Sequence, residues 1–168
     1  RSHRKGSVVH VFNRVLGQRH RLKPTPELVQ AVHEALIINQ RRHRMKILAY
    51  AFLSNHFHMI VQIECTEQLS AFMRDVQSAI ARASDAIFGG PTLFWEPRYR
   101  SQELCTSAAI RRKIRYVTAH GTKEGIVSTP TKWPGAHCAH QMVDPTAAPR
   151  LRVVDARGVA RHQALELS

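Results

Sequence analysis

The sequence predicts an α+β fold: a βαββαβ sheet with its helices on one face, followed by a further helix. Three observations carry this. A short apolar alternation runs over Val8 to Val15, and two apolar runs, Met45 to Leu53 and His56 to Ile63, sit on either side of Ser54-Asn55. Two longer segments, opening near Pro26 and Leu69, space their apolar residues at helical intervals. The resulting order is β-α-β-β-α-β-α, and its first six elements match the ferredoxin-like split βαβ arrangement. Such a sheet leaves one face open to a ligand.

The elements follow in order. Val9 and Val11 set the first strand, and Lys23-Pro-Thr-Pro marks a turn. Pro26 suits a first helical turn, with Thr25 as N-cap. Leu28, Val32, Ala35, Leu36 and Ile37 form the buried stripe of that helix, and Arg41, Arg42 and Arg44 close it with charge that complements its dipole. The two apolar runs around Ser54-Asn55 read as a β-hairpin. Leu69, Phe72, Met73, Val76 and Ile80 mark a second helix, running to about Phe88 and stopped by Gly89-Gly90-Pro91. Phe94 to Leu104 reads as extended, with Pro97 placing it at an edge or bulge. Thr106 or Ser107 caps a third helix, with Gly121 as its stop. From Pro130 the pattern decays, and residues 145–168 read as a disordered tail behind a single domain, 1–144.

Composition narrows the function classes. A formal net charge of +13 and a pI of about 10.8 point to a polyanionic partner, nucleic acid first, with an acidic protein or an anionic membrane surface as alternatives. Hydrophobic residues at 43% exclude a disordered basic tail. The longest apolar stretch, Ile47 to Leu53, is too short to span a bilayer, and no apolar region follows the basic start, so neither a membrane protein nor a secreted one is expected. Cys65, Cys105 and Cys138 form no C-x-x-C pair, which fits a cytoplasmic protein without a disulfide framework.

Candidate chemistry lies in three places. His56 and His58 are two apart in a predicted strand, so both imidazoles share a face while Phe57, Met59, Val61 and Ile63 point the other way. That pair offers two neighbouring ligands to a divalent metal; read alone, it is equally a pair of surface histidines. His10, in the first strand, joins that face if the register allows. In the third helix, Ile110, Ile114 and Val117 form the buried stripe, and Arg112, Tyr116 and His120 follow i, i+4, i+8 on another. A phenol with a pKa near 10 needs a metal or a cation to become a nucleophile. Without them Tyr116 is an amphipathic tyrosine on a basic helix, to which Arg111, Lys113 and Arg115 add charge. Leu93 to Arg100 interleaves Trp95 and Tyr99 with Arg98 and Arg100, the mixture that stacks bases and pairs phosphates, or else an edge strand whose Phe94 and Trp95 fill core. Arg14, Arg19, Arg21 and Lys23 form an early basic cluster, and His137 with His140 lacks partners for a zinc site.

Taken together these segments resemble the REP-associated tyrosine transposases, within the single-tyrosine HUH transposase superfamily. His10-Val-Phe-Asn-Arg14 resembles the family's first strand, and Leu48 to Val61 its hairpin, where the family often reads Met-Pro-Asn-His-x-His. Leu93 to Arg100 resembles its Leu-Phe-Gln-Gly-Arg-Tyr stretch, and Ile114-Arg-Tyr-Val-Thr-Ala-His120 its Tyr-Ile-His-Leu-Asn-Pro segment, followed by matches at Gly125-Ile-Val and Trp133-Pro134. The resemblance spans about residues 7–137 in order. It implies a catalytic domain over 1–144 that cuts and rejoins single-stranded or hairpin DNA, with Tyr116 as nucleophile and His56 and His58 as metal ligands. The family's polar residue four positions after the tyrosine helps hold the metal. Here it is His120, not Asn or Gln, and Ser54 stands where Pro is usual. Three imidazoles shift preference from Mg²⁺ toward Mn²⁺ or Zn²⁺. Arg112 is the candidate for stabilising phosphoryl charge; Arg14, Trp95, Arg98, Tyr99, Arg100 and Arg115 are the candidates for DNA contact. The alternative implied is a decayed or domesticated binder of structured single-stranded DNA. A cytoplasmic, nucleoid-associated protein is expected, as a monomer or a homodimer.

Overall fold

A computed structural model describes residues 4–90, 93–154 and 160–168; Pro91, the last residue of the predicted helix stop, lies outside them. Its element order is β1 (Val8–Arg14), α1 (Pro26–Arg42), β2 (Lys46–Phe52), β3 (His56–Gln62), α2 (Thr66–Phe88), β4 (Arg100–Glu103), α3 (Ser107–Thr118), α4 (His120–Lys123), α5 (Ala139–Val143), β5 (Arg150–Val154) and β6 (Ala160–Ala164), with short 3-10 turns between. The first four strands form one sheet in the order β2-β3-β1-β4, with every neighbouring pair antiparallel. This is the predicted ferredoxin-like sheet.

Period-two patterning sorts the side chains. Val9, Val11, Tyr50, Phe52, Phe57, Met59 and Val61 are buried on the face covered by α1 and α2. There they meet Leu28, Val32 and Leu36 of α1 and Leu69, Phe72, Met73, Val76 and Ile80 of α2, the two stripes legible in the sequence. Thr25 caps α1 by accepting the Leu28 N–H, behind Pro26 in its first turn. Gly89 ends α2 with φ +65°, a left-handed conformation that suits only glycine without strain. The hairpin turn at Ser54-Asn55 holds β2 and β3 in a register pairing Ala51 with His58 and Phe52 with Phe57, after a bulge between Ile47 and Ala49.

On the opposite face the register aligns Ala49 and Ala51 of β2, His56, His58 and Ile60 of β3, His10, Phe12 and Arg14 of β1, and Arg100 and Gln102 of β4. That face is only half open. α3 packs across β2 and β3, burying Val117 and partly burying Ile110 and Ile114. The small Ala49 and Ala51 admit the helix. On the β1–β4 half His10 is buried, and the uncovered part is that around Phe12, Arg14 and Arg100.

Three expectations are corrected. Only residues 100–103 of the predicted 94–104 strand form β4; upstream, Trp95 makes an isolated bridge to Val15. Gly121 does not stop the tyrosine helix: α3 ends at Thr118, and Gly121 is buried in α4 beside Val127 and Trp133. The left-handed stop is Gly125, at φ +68°. Residues 145–168 are expected from the sequence to be a disordered tail; among those described, β5 and β6 pair antiparallel. Leu165 is fully buried, the Gln141 amide donates to its carbonyl at 2.6 Å, and Gln40 and Glu166 are hydrogen-bonded, with the Glu166 N–H donating to Gln40 Oε1 at 3.1 Å. These contacts of residues 165–168 with α1 and β2 are long-range and invisible to local periodicity.

The outer edge of β2 is occupied too. The Phe52 N–H donates to the Ala136 carbonyl at 2.8 Å, Cys138 N–H to the Tyr50 carbonyl at 3.0 Å, and Ser168 N–H to the Ile47 carbonyl at 2.9 Å.

Candidate metal and tyrosine site

Two pieces of chain build the site. β3 presents His56 and His58 on the half-covered face, and α3 with α4 presents Tyr116 and His120 above them. Thr106 caps α3 by accepting the Ala109 N–H at 3.1 Å. The helix breaks at Ala119 (φ −92°, ψ 12°), whose N–H still reaches the Arg115 carbonyl, so His120 stays one turn beyond Tyr116. Their ring centroids are 5.0 Å apart, and the Tyr116 ring meets that of His58 edge-on at 5.6 Å.

Among the described residues, His56, His58 and His120 are the one group of three potential ligands that converges, with a ligand atom of each within 4.8 Å of the others. His56 Nε2 and His120 Nε2 face each other at 2.8 Å, and the His58 and His120 centroids are 4.4 Å apart. The donor set fits a divalent cation. Four-coordinate imidazole sites place the nitrogens about 2.0–2.1 Å from the ion, hence a little over 3 Å from each other, which small ring rotations reach from here. His56 is already tied at its other nitrogen, Nδ1 lying 2.6 Å from Asn55 Oδ1, and His58 Nδ1 lies 2.9 Å from His10 Nε2. His120 Nδ1 is buried without a partner among the described residues.

The electrostatics favour neutral ligands. Burial, reinforced by His120 and Arg14, pushes the His56 pKa down to about 4, and burial with the neighbouring histidines pushes that of His58 down to about 2. Burial lowers His120 as well, with Glu124 opposing. Near neutral pH all three lone pairs are available. The Tyr116 phenol is pushed up from its ordinary value, first by burial and then by the Glu124 carboxylate.

The remaining predicted residues divide. Arg112 and Arg115 flank a surface basin floored by Tyr116, but the amines over the phenol ring are those of Lys113 and Lys123, 5.1 and 4.8 Å from its centroid. Arg14 is exposed next to His56, and Arg100 is exposed across from Phe12; both lie on the uncovered half of the face. Arg98 is exposed in the loop before β4. Trp95 and Tyr99 are turned away from the site. The Trp95 indole donates to the Gln77 carbonyl of α2 at 2.8 Å and its ring stands edge-on to Phe57, while the Tyr99 hydroxyl lies 3.4 Å from Ser70 of α2. The core-filling alternative, given for Phe94 and Trp95, describes those two: Phe94 is buried, and the Trp95 indole is engaged by α2 and the Phe57 ring. Arg21 is committed to Asp85 at 2.6 Å and to the Gly89 carbonyl. His137 and His140 sit 5.3 Å apart with no third ligand converging on them among the described residues.

Sequence reasoning did not single out Phe12, Asn55, Lys123 or Glu124. Phe12 is half-buried on the uncovered face between Arg14 and Arg100, and its own alternation with Val11 was the available signal. Glu124 shares a polar pocket with His56, Asn55, His20 and Arg14, a contact made only through the tertiary fold.

Comparison with known proteins places this geometry. The family model described as "Transposase IS200 like" matches residues 8–120. The solved structure of a REP-associated tyrosine transposase bound to a REP hairpin is similar to this chain, with a TM-score of 0.70, 20% identity, and 86% of this chain and 84% of that one covered. A putative transposase from Deinococcus radiodurans aligns with a TM-score of 0.48 and 17% identity over 75% of this chain and 95% of its own. No curated protein matches the chain.

Proposed function

Since the chain belongs to the IS200-like transposase family, we propose that it cuts and rejoins single-stranded or hairpin DNA through a 5′-phosphotyrosine on Tyr116, with a divalent metal on His56, His58 and His120. The observation that carries this reading is the placement of the Tyr116 ring 5.6 Å from His58 and 5.0 Å from His120, within one chain. A REP hairpin is what the similar solved transposase holds, which makes structured single-stranded DNA the first substrate to try.

The residues divide the work as follows. His56, His58 and His120 would hold the ion, and Mn²⁺ or Zn²⁺ suits three imidazoles better than Mg²⁺. When bound, it supplies Lewis-acid polarisation of the scissile phosphate. Arg14 and Arg100 draw the strand onto the uncovered half of the sheet, where the exposed edge of Phe12 offers a face for a base. Lys113 and Lys123 bring positive charge to the phenol side, and Arg112 stands at the rim of the same basin to balance charge on the phosphoryl oxygens. Tyr116 Oη loses its proton to solvent and attacks phosphorus, and the departing 3′ oxygen takes up a proton from solvent. The bond to the 3′ oxygen breaks, leaving a free 3′-hydroxyl and a 5′-phosphotyrosine. A second 3′-hydroxyl reverses the step, and the covalent link conserves the energy of the broken bond.

A binder that grips DNA without cutting is the second reading, favoured by His120 standing where the family carries Asn or Gln. One assay separates them. Labelled single-stranded hairpins are incubated with Mn²⁺, Zn²⁺ or Mg²⁺ and run on denaturing gels. The expected result is a covalent band lost with Tyr116→Phe and with chelator. Tight binding with no band under any of these metals refutes cleavage and establishes the binder.

A further inference from the structure

His10 has no place in the division of work above, yet it is among the most enclosed polar residues of the chain, 3% exposed. Its ring stacks on those of His58 and Phe12, at 5.1 Å in each case. Its Nε2 lies 2.9 Å from His58 Nδ1, and its own Nδ1 is buried with no partner among the described residues.

We propose that His10 is a positioning residue for the metal site: its Nε2 accepts the Nδ1 proton of His58 and thereby holds His58 in the tautomer whose Nε2 lone pair faces His56 and His120. The inference rests on the metal reading given above and deepens it.

The argument is a count of protons. Two neutral imidazoles facing each other across 2.9 Å share one proton between Nε2 of His10 and Nδ1 of His58. If it sits on His58 Nδ1, the second nitrogen of His58 carries a bare lone pair and can ligate. If it sits on His10 Nε2, the remaining proton of His58 occupies its own Nε2, points into the cluster and blocks coordination there. Asn55 solves the same problem for His56, with an amide oxygen that only accepts. His10 is a partner of a different kind, because an imidazole nitrogen serves in either role. The productive arrangement puts a proton on the orphaned His10 Nδ1, while the unproductive one leaves a bare acceptor there. Metal binding therefore has to draw the pair into the first arrangement, and the ring that stacks on His58 is the one that sets its tautomer. Ligating histidines generally hand their second N–H to such an acceptor, and loss of the acceptor weakens metal affinity by about 10–100-fold.

The test uses the full chain loaded with Zn²⁺, a diamagnetic ion, in wild-type, His10→Phe and His10→Gln forms. Phe preserves the ring stack and removes the acceptor; Gln restores an accepting oxygen. Zinc affinity is read by competition with a chromophoric chelator, and nitrogen-15 spectra of the imidazoles report the tautomers. Expected are a coupling across the hydrogen bond from protonated His58 Nδ1 to His10 Nε2 in the loaded wild type, zinc binding weaker by about 10–100-fold in His10→Phe, and recovery to within about threefold in His10→Gln. Unchanged affinity in His10→Phe overturns the inference, as does a loaded wild type in which His58 coordinates through Nδ1. If His10→Phe does not fold, the wild-type coupling and the Gln variant decide. No zinc binding by the wild type overturns the metal reading itself, a separate result.

Discussion

Acid should unfold the metal-free protein earlier than its carboxylates alone would dictate. His10, His33, His56 and His137 have pKa values pushed from 6.5 down to about 4, and that of His58 falls to about 2, in every case first by burial. The sign follows from proton counts. In the unfolded chain these imidazoles regain their ordinary value and bind protons below it, while the folded chain refuses them. Stability is therefore unaffected well above pH 6.5, falls as pH drops through that value, and levels off near the folded values. Between about pH 8 and about pH 5.5 each group removes about 1.4 kcal/mol, so the five together remove about 7. Halving this for the water that reaches the half-buried rings leaves about 3–4 kcal/mol, against a typical total of about 5–15. Urea melts followed by tryptophan fluorescence, with chelator present, read it directly: at about 1–3 kcal/mol per molar, the midpoint drops by about 1–4 M. A midpoint that holds or rises between those pH values would show that the cluster opens to water in the folded state, and the assignment of neutral, metal-ready ligands would fail with it.

Four further outcomes are expected. Glu124→Gln removes the carboxylate that pushes the Tyr116 phenol up, so the pH profile of covalent adduct formation should move to lower pH; an unmoved profile would take Glu124 out of the site. His120→Asn replaces a nitrogen ligand with an oxygen donor, and the ratio of adduct formed in Mg²⁺ to that formed in Mn²⁺ should rise. Arg100→Ala, exposed on the uncovered half of the face, should weaken hairpin binding and reduce the salt slope by about 1 in a filter-binding titration across salt concentrations. Leu165→Ala should cost about 2–5 kcal/mol in a denaturant melt, because that side chain is fully buried; a loss under about 0.5 would return the C-terminal segment to the status of a loose tail.

What the sequence disclosed follows the reach of each interaction. The shared face of His56 and His58 is a matter of two-residue periodicity, and the Thr106 cap and the one-turn spacing of Tyr116 from His120 are equally local; all three were legible. The membership of His10 hung on register, since alternation gives a face but not a neighbour. The basic residues on α3 were visible as a group. The choice of Lys113 over Arg112 as the cation above the phenol depends on rotamers, and that of Lys123 on the break at Ala119. The side that Trp95 and Tyr99 take was not legible, because aromatics interleaved with arginines serve a nucleic acid and a core equally well and their contacts with α2 are tertiary. The pairing of β5 with β6 gave no signal because the chain after it is anchored more than a hundred residues away, Glu166 to Gln40 and Ser168 to Ile47.

The strip of chain lying along β2 also bears on how copies of this protein can meet. An uncovered strand margin invites another strand to add to it, in self-association or in aggregation. Residues 136–138 and 168 already take backbone hydrogen bonds along that margin, so the sheet cannot grow there without peeling them off. Growth is left to the far side, where β4 offers four residues, Arg-Ser-Gln-Glu, charged at both ends. Any pairing of two copies through a continuous sheet would have to start from that short, polar margin, beside the face on which the DNA is expected to lie.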